Sequence, residues 1–303
     1  MDLTASSEHG VSGFPGPSPA DPTMISARLE EGCLTDWLSS RSILAYGVRI
    51  GIRTNQPEFL DQILDHAPPL WKPSSMRLVD RLFSFWVGES GPRGNSRSPH
   101  LLLDGMETVA KSTDLRTVLE AFEVRTKMLV SEMARRRVFV HAGAVGWHGE
   151  AIIIPGRSMS GKTSLVAELV RAGATYYSDE YAVLDMQGRV HPYPKPLAIR
   201  KEGSSKQKNY SAKEIGGVTG TRPLQVGLVV VSPYRPGASW RPARLSAGPA
   251  ALELLANTIP ARRKPDVVIQ TLQRAITKAT CFKGVRGEAR DTAGLILELS
   301  NFK

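Results

Sequence analysis

The segment from Gly156 to Thr163 constrains the fold of this chain more than any other part of the sequence. It reads G-R-S-M-S-G-K-T, which places two glycines, a lysine and a hydroxyl at the spacing of a phosphate-binding loop. Such a loop joins the end of a buried strand to the start of a helix. The apolar run 151–155 precedes the loop, and Leu165, Leu169 and Val170 give the segment after it an apolar face. We therefore expect an α/β domain built around this strand, loop and helix.

Each position of the loop has a physical role in holding nucleotide phosphates. Gly156 and Gly161 allow backbone angles that turn consecutive N–H groups towards a phosphate. Lys162 supplies a positive charge to the β- and γ-phosphate oxygens, and Thr163 offers a hydroxyl to Mg²⁺ at a helix N-terminus. We predict that ATP and Mg²⁺ bind here. The expected nucleotide-binding residues are Gly156, Arg157, Ser158, Met159, Ser160, Gly161, Lys162, Thr163 and Ser164.

Two adjacent acids, Asp179 and Glu180, follow the loop and its helix in the sequence. A phosphate-binding loop needs an acid that holds Mg²⁺ or activates the nucleophile. Because neighbouring side chains of a strand point to opposite faces, only one of the two acids faces the phosphates unless the strand has ended there. The alternative interpretation is a solvated strand end.

His141 and Arg200 are further candidates, each with a structural alternative. His141 follows the expected strand 138–140, which could neighbour the loop strand, but a lone histidine is more often a core or turn residue than a catalytic partner. Arg200 could clamp a transferring phosphate, although an isolated arginine in a basic loop is usually a surface charge.

Composition and charge argue against several classes of function. No apolar run approaches the length of about eighteen residues that a spanning helix needs, and residues 1–23 lack the pattern of a secretory signal. We therefore expect a cytoplasmic protein without a membrane partner. Cys33 and Cys281 have no CxxC spacing, which argues against a zinc site or a disulfide framework. The net charge of +10 is spread along the chain, so nucleic acid is not favoured as a partner.

The 303 residues, 41% of them hydrophobic, suffice for one large domain or two moderate ones. We expect a disordered tail over residues 1–24, a smaller α+β domain over 25–137 and a catalytic domain over 138–303. The first domain is expected to have strands at 45–53, 78–87 and 101–103 and helices at 57–64 and 115–137. The second is expected to have strands at 138–140, 151–154, 182–184 and 226–231, helices at 249–256 and 265–278, and a closing strand at 294–299.

Taken in order, these residues resemble the catalytic domain of HPr kinase/phosphorylase and the HPr-kinase-like proteins. That family has a histidine before its loop, a G-x-S-G-x-G-K-S loop, a glycine after the loop and then an Asp-Asp pair. Here His141, the loop with Ser158, Gly173 and Asp179-Glu180 stand in the same order, and the segment around Arg200 resembles an arginine region of the family. The resemblance covers residues 138 to 210. It implies a P-loop kinase domain of the HPr kinase type, with a mixed sheet and flanking helices, preceded by a smaller α+β domain.

The resemblance also implies roles for individual residues. Asp179 would accept the proton of the attacking hydroxyl, and His141 would be its hydrogen-bonding neighbour. The implied catalytic residues are Asp179, His141, Lys162 and Arg200, and the implied metal ligands are Thr163 and Glu180. The sequence departs from the family after Arg200, where Lys201-Glu202-Gly203 replaces an Arg-Gly-x-Gly signature. The sequence therefore leaves open whether any phosphorylase activity is present, and it does not identify HPr as the substrate.

The leading hypothesis is an ATP-dependent kinase that transfers the γ-phosphoryl group to a hydroxyl of a protein, a peptide or a small molecule. The alternative is a P-loop ATPase or nucleotide-dependent switch without a phosphoacceptor. A binding module whose site has decayed is less favoured, because Lys162, Thr163 and Asp179 are all present. The sequence does not identify the acceptor. Because members of the resembled family assemble as hexamers, a homo-oligomer stays an open expectation.

Overall fold

The computed structural model describes residues 27–28, 37–88, 98–157, 160–200 and 207–299. These residues form a mixed α/β structure with mixed sheets and flanking helices. The tail expected over residues 1–24 lies outside them. None of the helices in the described part of the chain has the length and apolar character that crossing a membrane requires.

The first large sheet comes from the amino-terminal part of the chain. Its region contains the strands β1 (Ala27–Arg28), β2 (Ser39–Ala45), β3 (Val48–Thr54), β4 (Lys72–Ser74), β5 (Leu78–Val79), β6 (Arg81–Trp86), β7 (His100–Asp104) and β8 (Glu107–Ser112) and the helices α1 (Leu60–Asp65) and α2 (Leu115–Met133). Six of these strands form one sheet in the order β4-β2-β3-β6-β7-β8, and β1 pairs with β5 separately. The Asp114 side chain caps α2 by accepting a hydrogen bond from the Arg116 backbone N–H at 3.1 Å. Val118, Leu119 and Phe122 then bury one face of α2 against the sheet.

The second large sheet carries the segment that is predicted to bind phosphate. Its strands are β9 (Arg137–Trp147), β10 (Glu150–Pro155), β11 (Thr175–Ser178), β12 (Tyr181–Asp185), β13 (Val190–His191), β16 (Val226–Val231), β17 (Ala243–Arg244) and β18 (Thr280–Lys283), and the separate hairpin of β14 (Leu197–Arg200) and β15 (Gln207–Tyr210) lies between them in sequence. The order is β13-β12-β9-β10-β16-β18-β17, with β11 also paired to β9. The neighbours β10, β16 and β18 are parallel, and every residue of β16 is buried, as expected for a strand covered on both faces.

Helices cover both faces of the second sheet. They are α3 (Lys162–Arg171), α4 (Ala247–Ala256), α5 (Pro265–Ile276) and α6 (Ala289–Leu299). The core around α3 and α6 includes Leu165 and Ile296, and the core around α4 and α5 includes Leu254 and Leu272. The segment that is predicted to bind phosphate therefore follows a strand that is held between two helical layers.

Aromatic side chains join the two large sheets in one core. Phe139 of β9 has its ring 5.3 Å from that of Tyr46, which lies in the turn between β2 and β3. The Tyr193 ring lies 5.9 Å from Phe139 and 5.4 Å from Tyr181. These residues share one buried cluster with Phe83 and other residues of the first sheet. The two sheets are thus packed on each other through aromatic side chains.

Two expectations about secondary structure were wrong. The strand expected over 45–53 is interrupted by a tight turn at Tyr46 and Gly47, both with positive φ, so that β2 and β3 form a hairpin. The strand expected over 294–299 belongs to the helix α6, because Ala293, Ile296 and Leu297 are buried at helical spacing. The strand that pairs with β16 on this side of the sheet is instead β18, which the sequence analysis missed.

Candidate functional site

The segment that the sequence predicts to bind phosphate lies between β10 and α3. Pro155 ends β10, and Gly161 precedes Lys162, the first residue of α3. Gly161 has a φ of +79°, which favours glycine, and a Cβ there would lie 2.6 Å from the Arg286 guanidinium. Ser158 and Met159 lie outside the described residues. The described part of the loop therefore has the strand, positive-φ glycine and helix that a phosphate-binding loop requires.

Lys162 is held inside the loop, with 7% of its surface exposed. Its ammonium group donates a hydrogen bond to the Arg157 carbonyl oxygen at 2.6 Å. Burial lowers the pKa of Lys162 to about 8, although the nearby charges of Asp179 and Glu180 oppose this shift. A phosphate beside this ammonium group would favour its charged form.

Arg286, which the sequence analysis missed, supports the loop from the connection between β18 and α6. Its guanidinium donates hydrogen bonds to the carbonyl oxygens of Gly161 at 2.9 Å and Gly287 at 3.0 Å. The Tyr234 ring covers it at 5.3 Å. The side chain is buried, so it acts as an internal brace. In the sequence, the one feature beside Arg286 that could have marked it is the glycine that follows. Gly287 approaches another backbone segment closely, because a Cβ there would lie 2.2 Å from the Ala238 oxygen.

The two acids lie in the turn between β11 and β12. The Ser178 hydroxyl accepts backbone N–H bonds from Glu180 at 3.0 Å and Tyr181 at 2.9 Å, which fixes this turn. Because β11 has ended at Ser178, both Asp179 and Glu180 line the same cavity. The alternation rule that would have separated the two acids does not apply at this turn.

Asp179 contacts the loop directly. The Thr163 hydroxyl donates to its carboxylate at 2.7 Å, and the Tyr176 hydroxyl lies 3.0 Å from its other oxygen. Burial raises the pKa of Asp179, while these two hydrogen bonds act in the opposite direction. The result is a carboxyl group with increased proton affinity beside the hydroxyl that opens α3.

Glu180 has a different partner. Its carboxylate accepts a hydrogen bond from the Lys127 ammonium group of α2 at 2.6 Å. Lys127 belongs to the helix on the first sheet, whereas Glu180 belongs to the second sheet. One of the two acids is therefore connected to the loop, and the other is connected to the amino-terminal part of the chain.

His141 lies on β9 and lines the cavity with the loop and the acids. Its backbone pairs with Tyr181 of β12, and the two rings are 5.5 Å apart. Burial lowers the pKa of His141, and the charge of Lys162 lowers it further. We infer that the imidazole is predominantly neutral at neutral pH, the form in which one ring nitrogen accepts a hydrogen bond.

Arg200 is the last residue of β14, and its backbone pairs with Gln207 of β15. Its side chain lies outside what the structure describes. The hairpin itself borders the cavity through Ala198, Gln207 and Asn209. The structure thus places the Arg200 segment at the site without assigning its guanidinium a contact.

A second wall of the cavity comes from three residues outside the loop and the acid turn. The cavity has a volume of about 670 Å³, and His66, Glu123 and Lys195 line it. Glu123 forms ion pairs with Lys195 and, at 3.3 Å, with His66. Burial would raise the pKa of Glu123, but hydrogen bonds and charge from Lys195 and His66 outweigh burial and lower it. This wall is polar, charged and partly pre-ordered by its own ion pairs.

The oxygen donors beside the loop fit a magnesium ion that is held partly by nucleotide phosphates. Among the described residues, no group of three or more His, Cys, Asp or Glu side chains is arranged to hold a metal ion by itself. Mg²⁺ in nucleotide sites is commonly held by one or two carboxylates together with phosphates and waters. Thr163, Asp179 and Glu180 border the same cavity and supply oxygens of this kind.

Comparisons with known proteins do not assign a family to this arrangement. A scan against protein-family models found no matching family, and a search of curated proteins found no match.

Proposed function

We propose that this protein is an ATP-dependent phosphotransferase of the HPr-kinase-like type, which transfers the γ-phosphoryl group to a hydroxyl of a protein, a peptide or a small molecule. The observation that carries the proposal is the Thr163–Asp179 hydrogen bond beside Lys162 in a cavity with a second, polar wall. In this proposal the loop binds the nucleotide, and the acceptor occupies the space beside His66, Glu123 and Lys195. The resemblance of residues 138–210 to HPr kinases supports the same reaction.

In such a transfer, the residues of the cavity would position the reacting groups and neutralise the charge on them. Lys162 and the loop amides would bind the phosphate oxygens, and Arg286 holds the Gly161 backbone in place for them. Mg²⁺, held by Thr163 and Glu180 together with the phosphates, would neutralise charge on the transferring group. Asp179 would take the proton of the acceptor hydroxyl, and its raised pKa suits that role.

Replacing Asp179 tests the role of base. Asp179→Asn keeps an oxygen that can accept the Thr163 hydrogen bond but cannot take up a proton. We expect ATP binding to be retained and transfer to fall by at least about 100-fold, the usual scale for loss of a general base. Transfer at the wild-type rate would contradict the assignment. Glu180→Gln is the matched variant, and we expect it chiefly to raise the Mg²⁺ concentration needed for half-maximal transfer.

A nucleotide-dependent switch is the second candidate, and the Lys127–Glu180 ion pair favours it. This pair joins the acid turn to α2 on the first sheet. A nucleotide that redirects Glu180 towards Mg²⁺ would break the pair and change the contact between the two sheets. Hydrolysis would then serve a conformational change and would need no acceptor.

The fate of the γ-phosphate separates the two functions. We would incubate wild type, Lys162→Ala and Asp179→Asn with γ-labelled Mg-ATP and a lysate of the source organism. Label on a discrete acceptor, present only with wild type, would support the kinase. Label released only as free phosphate, or ATP binding without turnover, would contradict the kinase and favour the switch.

A further inference from the structure

A second cavity, of about 510 Å³, lies away from the phosphate-binding loop and carries an excess of positive charge. The consecutive residues Arg135, Arg136 and Arg137 line it together with His191, and its described lining includes no carboxylate. Pro192 and Pro194 form one side of the cavity and residues 219–221 form another. The proposed transfer reaction uses none of these side chains.

The backbone at this cavity adopts an unfavourable conformation at several positions. In the described part of the chain, four residues other than glycine have positive φ, and three of them, Tyr46, Leu70 and Arg136, line this cavity. Positive φ is sterically costly for side chains of this size. Residues with strained backbone conformations cluster at functional sites, where the surrounding structure holds the site in one shape.

The arginines are held at the cavity by contacts between the two sheets. The Arg135 backbone N–H donates to the Tyr46 carbonyl oxygen at 3.2 Å, which ties the α2–β9 connection to the β2–β3 turn. At Gly47 a Cβ would lie only 3.1 Å from the Arg135 Cβ, so the two segments are in close contact. The position of the arginines is thus determined by packing.

Nearby acids neutralise only part of this charge. Asp80 pairs with Arg49 at 2.9 Å and with Arg135 at 3.4 Å. Asp185 pairs with His191 at 2.9 Å and with Arg189 at 2.8 Å. Within the part of the chain that the structure describes, neither Arg136 nor Arg137 has an ion-pair partner. The Arg137 guanidinium donates one hydrogen bond to the Arg136 carbonyl oxygen at 2.9 Å, and the other N–H groups of these two arginines are left to bind an anion from solution.

We propose that this cavity binds the phosphate group of an anionic ligand, either inorganic phosphate or a phosphate monoester. Guanidinium groups present paired N–H donors that match phosphate oxygens, and several cations together favour a doubly charged anion over a carboxylate. The binding itself does not depend on the function proposed for the first cavity.

Hydrogen bonds through Tyr176 connect the two cavities. The Tyr176 backbone N–H donates to Val218 O at 2.7 Å, and its carbonyl accepts from the Gly220 N–H at 2.8 Å, which fixes the 219–221 side of the second cavity. The Tyr176 hydroxyl lies within hydrogen-bonding distance of Asp179, at 3.0 Å, and of the Lys195 carbonyl, at 2.7 Å. The two cavities therefore share one hydrogen-bonded residue.

Calorimetric titration of the full chain with inorganic phosphate, and separately with glycerol 3-phosphate, tests the binding. All proteins would carry Lys162→Ala, which weakens phosphate binding at the loop. Arg136→Asn with Arg137→Gln removes two cations, and asparagine tolerates positive φ. The matched control, Arg262→Ser with Arg263→Ser, also removes two positive charges, but from residues that do not line this cavity. We expect at least a tenfold loss of affinity in the first variant and less than a twofold change in the control.

Equal losses in both variants would show non-specific attraction and overturn the proposal, as would no saturable binding of either anion in the Lys162→Ala protein. Arg136→Asn alone serves as a second variant, because it relieves backbone strain and is expected to fold at least as well as wild type. Binding of only one of the two anions would support the site and identify its ligand as free phosphate or as a monoester. Saturable binding in the Lys162→Ala protein, together with no detectable transfer by the wild-type protein, would contradict the proposed function and leave the site supported.

Discussion

Lys162 is buried and Asp179 is half-buried, and the pKa values of the two groups are shifted towards one another. Burial lowers the pKa of Lys162 to about 8 and raises that of Asp179. Each group is thereby closer to losing its charge at neutral pH than it would be in water. The number of protons that these two groups hold should consequently change when a ligand binds in the cavity.

ATP binding should depend on pH through Lys162. Nucleotide phosphates favour the ammonium form and raise its pKa, so binding takes up a proton when the pH is at or above about 8. Affinity should therefore fall as the pH rises from 7 to 9. Calorimetry in buffers of different ionisation enthalpy would measure the proton uptake. Lys162→Arg stays charged throughout this range and should lose the pH dependence; a similar dependence in that variant would exclude Lys162 as its source.

Arg286 should affect nucleotide affinity although it lies outside the loop. Lysine cannot donate to the Gly161 and Gly287 carbonyl oxygens in the same geometry as a guanidinium. For Arg286→Lys we expect about a tenfold loss of ATP affinity, equivalent to one charge-assisted hydrogen bond, and a lower Tm. The exposed Arg241→Lys is the control. Equal ATP affinity in the two variants would show that the brace is not needed.

The sequence identified the residues of the loop and the acid pair because their spacing is local. Lys162, Thr163 and Asp179 are brought together by one strand, one turn and one helix. Arg286 and Lys127 reach the site from distant parts of the chain, and no periodicity or motif marks such a contact. The sequence therefore pointed to residues that the structure brings together around Lys162, and it missed Arg286 and Lys127.

At the scale of elements, α3 lies unusually close to β9. A Cβ on Gly143 would lie 2.5 Å from a methyl group of Val166, so the glycine permits this approach. The same proximity places the start of α3 beside His141 and the acid turn. No comparable local feature marks the elements that were predicted wrongly. The apolar residues of α6 fit either a strand or a helix until the packing partner of the segment is known.

Gly143→Ala should separate α3 from β9. We expect a loss of about 1–3 kcal/mol in the free energy of unfolding, as for other over-packed core sites, together with weaker ATP binding. Gly294→Ala is the control, since Gly294 is exposed in α6 with open space around its Cβ position. There we expect a gain of about 0.5–1 kcal/mol from helix propensity. Urea denaturation of the three proteins would measure both values, and an unchanged midpoint for Gly143→Ala would contradict the packing argument.

At the scale of the molecule, the two large sheets share the aromatic cluster of Tyr46, Phe139, Tyr181 and Tyr193. Separating the sheets would expose these rings to water, which is unfavourable in proportion to their apolar area. The domain boundary expected near residue 137 falls between α2 and β9. The shared core therefore extends across the expected boundary. Sequence patterns indicated the two sets of strands but gave no sign that the sets pack on each other.

The shared core predicts cooperative unfolding. Variants that keep a single tryptophan, Trp86 on the first sheet or Trp147 on the second, should show the same urea midpoint by fluorescence. ATP should raise both midpoints equally, because a ligand of the native state stabilises the whole cooperative unit. Two separate midpoints, or a shift confined to Trp147, would show that the sheets unfold independently.

The strand β9 carries His141 and pairs with β10, β11 and β12, so the loop after β10 and the acid turn are both anchored on it. In the second wall of the cavity, His66 follows α1 and Glu123 lies in α2, and both helices come from the region of the first sheet. Substitutions in those two helices can accordingly reshape this wall while the distances among Lys162, Asp179 and His141 stay fixed. Under the proposed transfer, related proteins could evolve to accept different hydroxyl groups without changing the residues around Lys162.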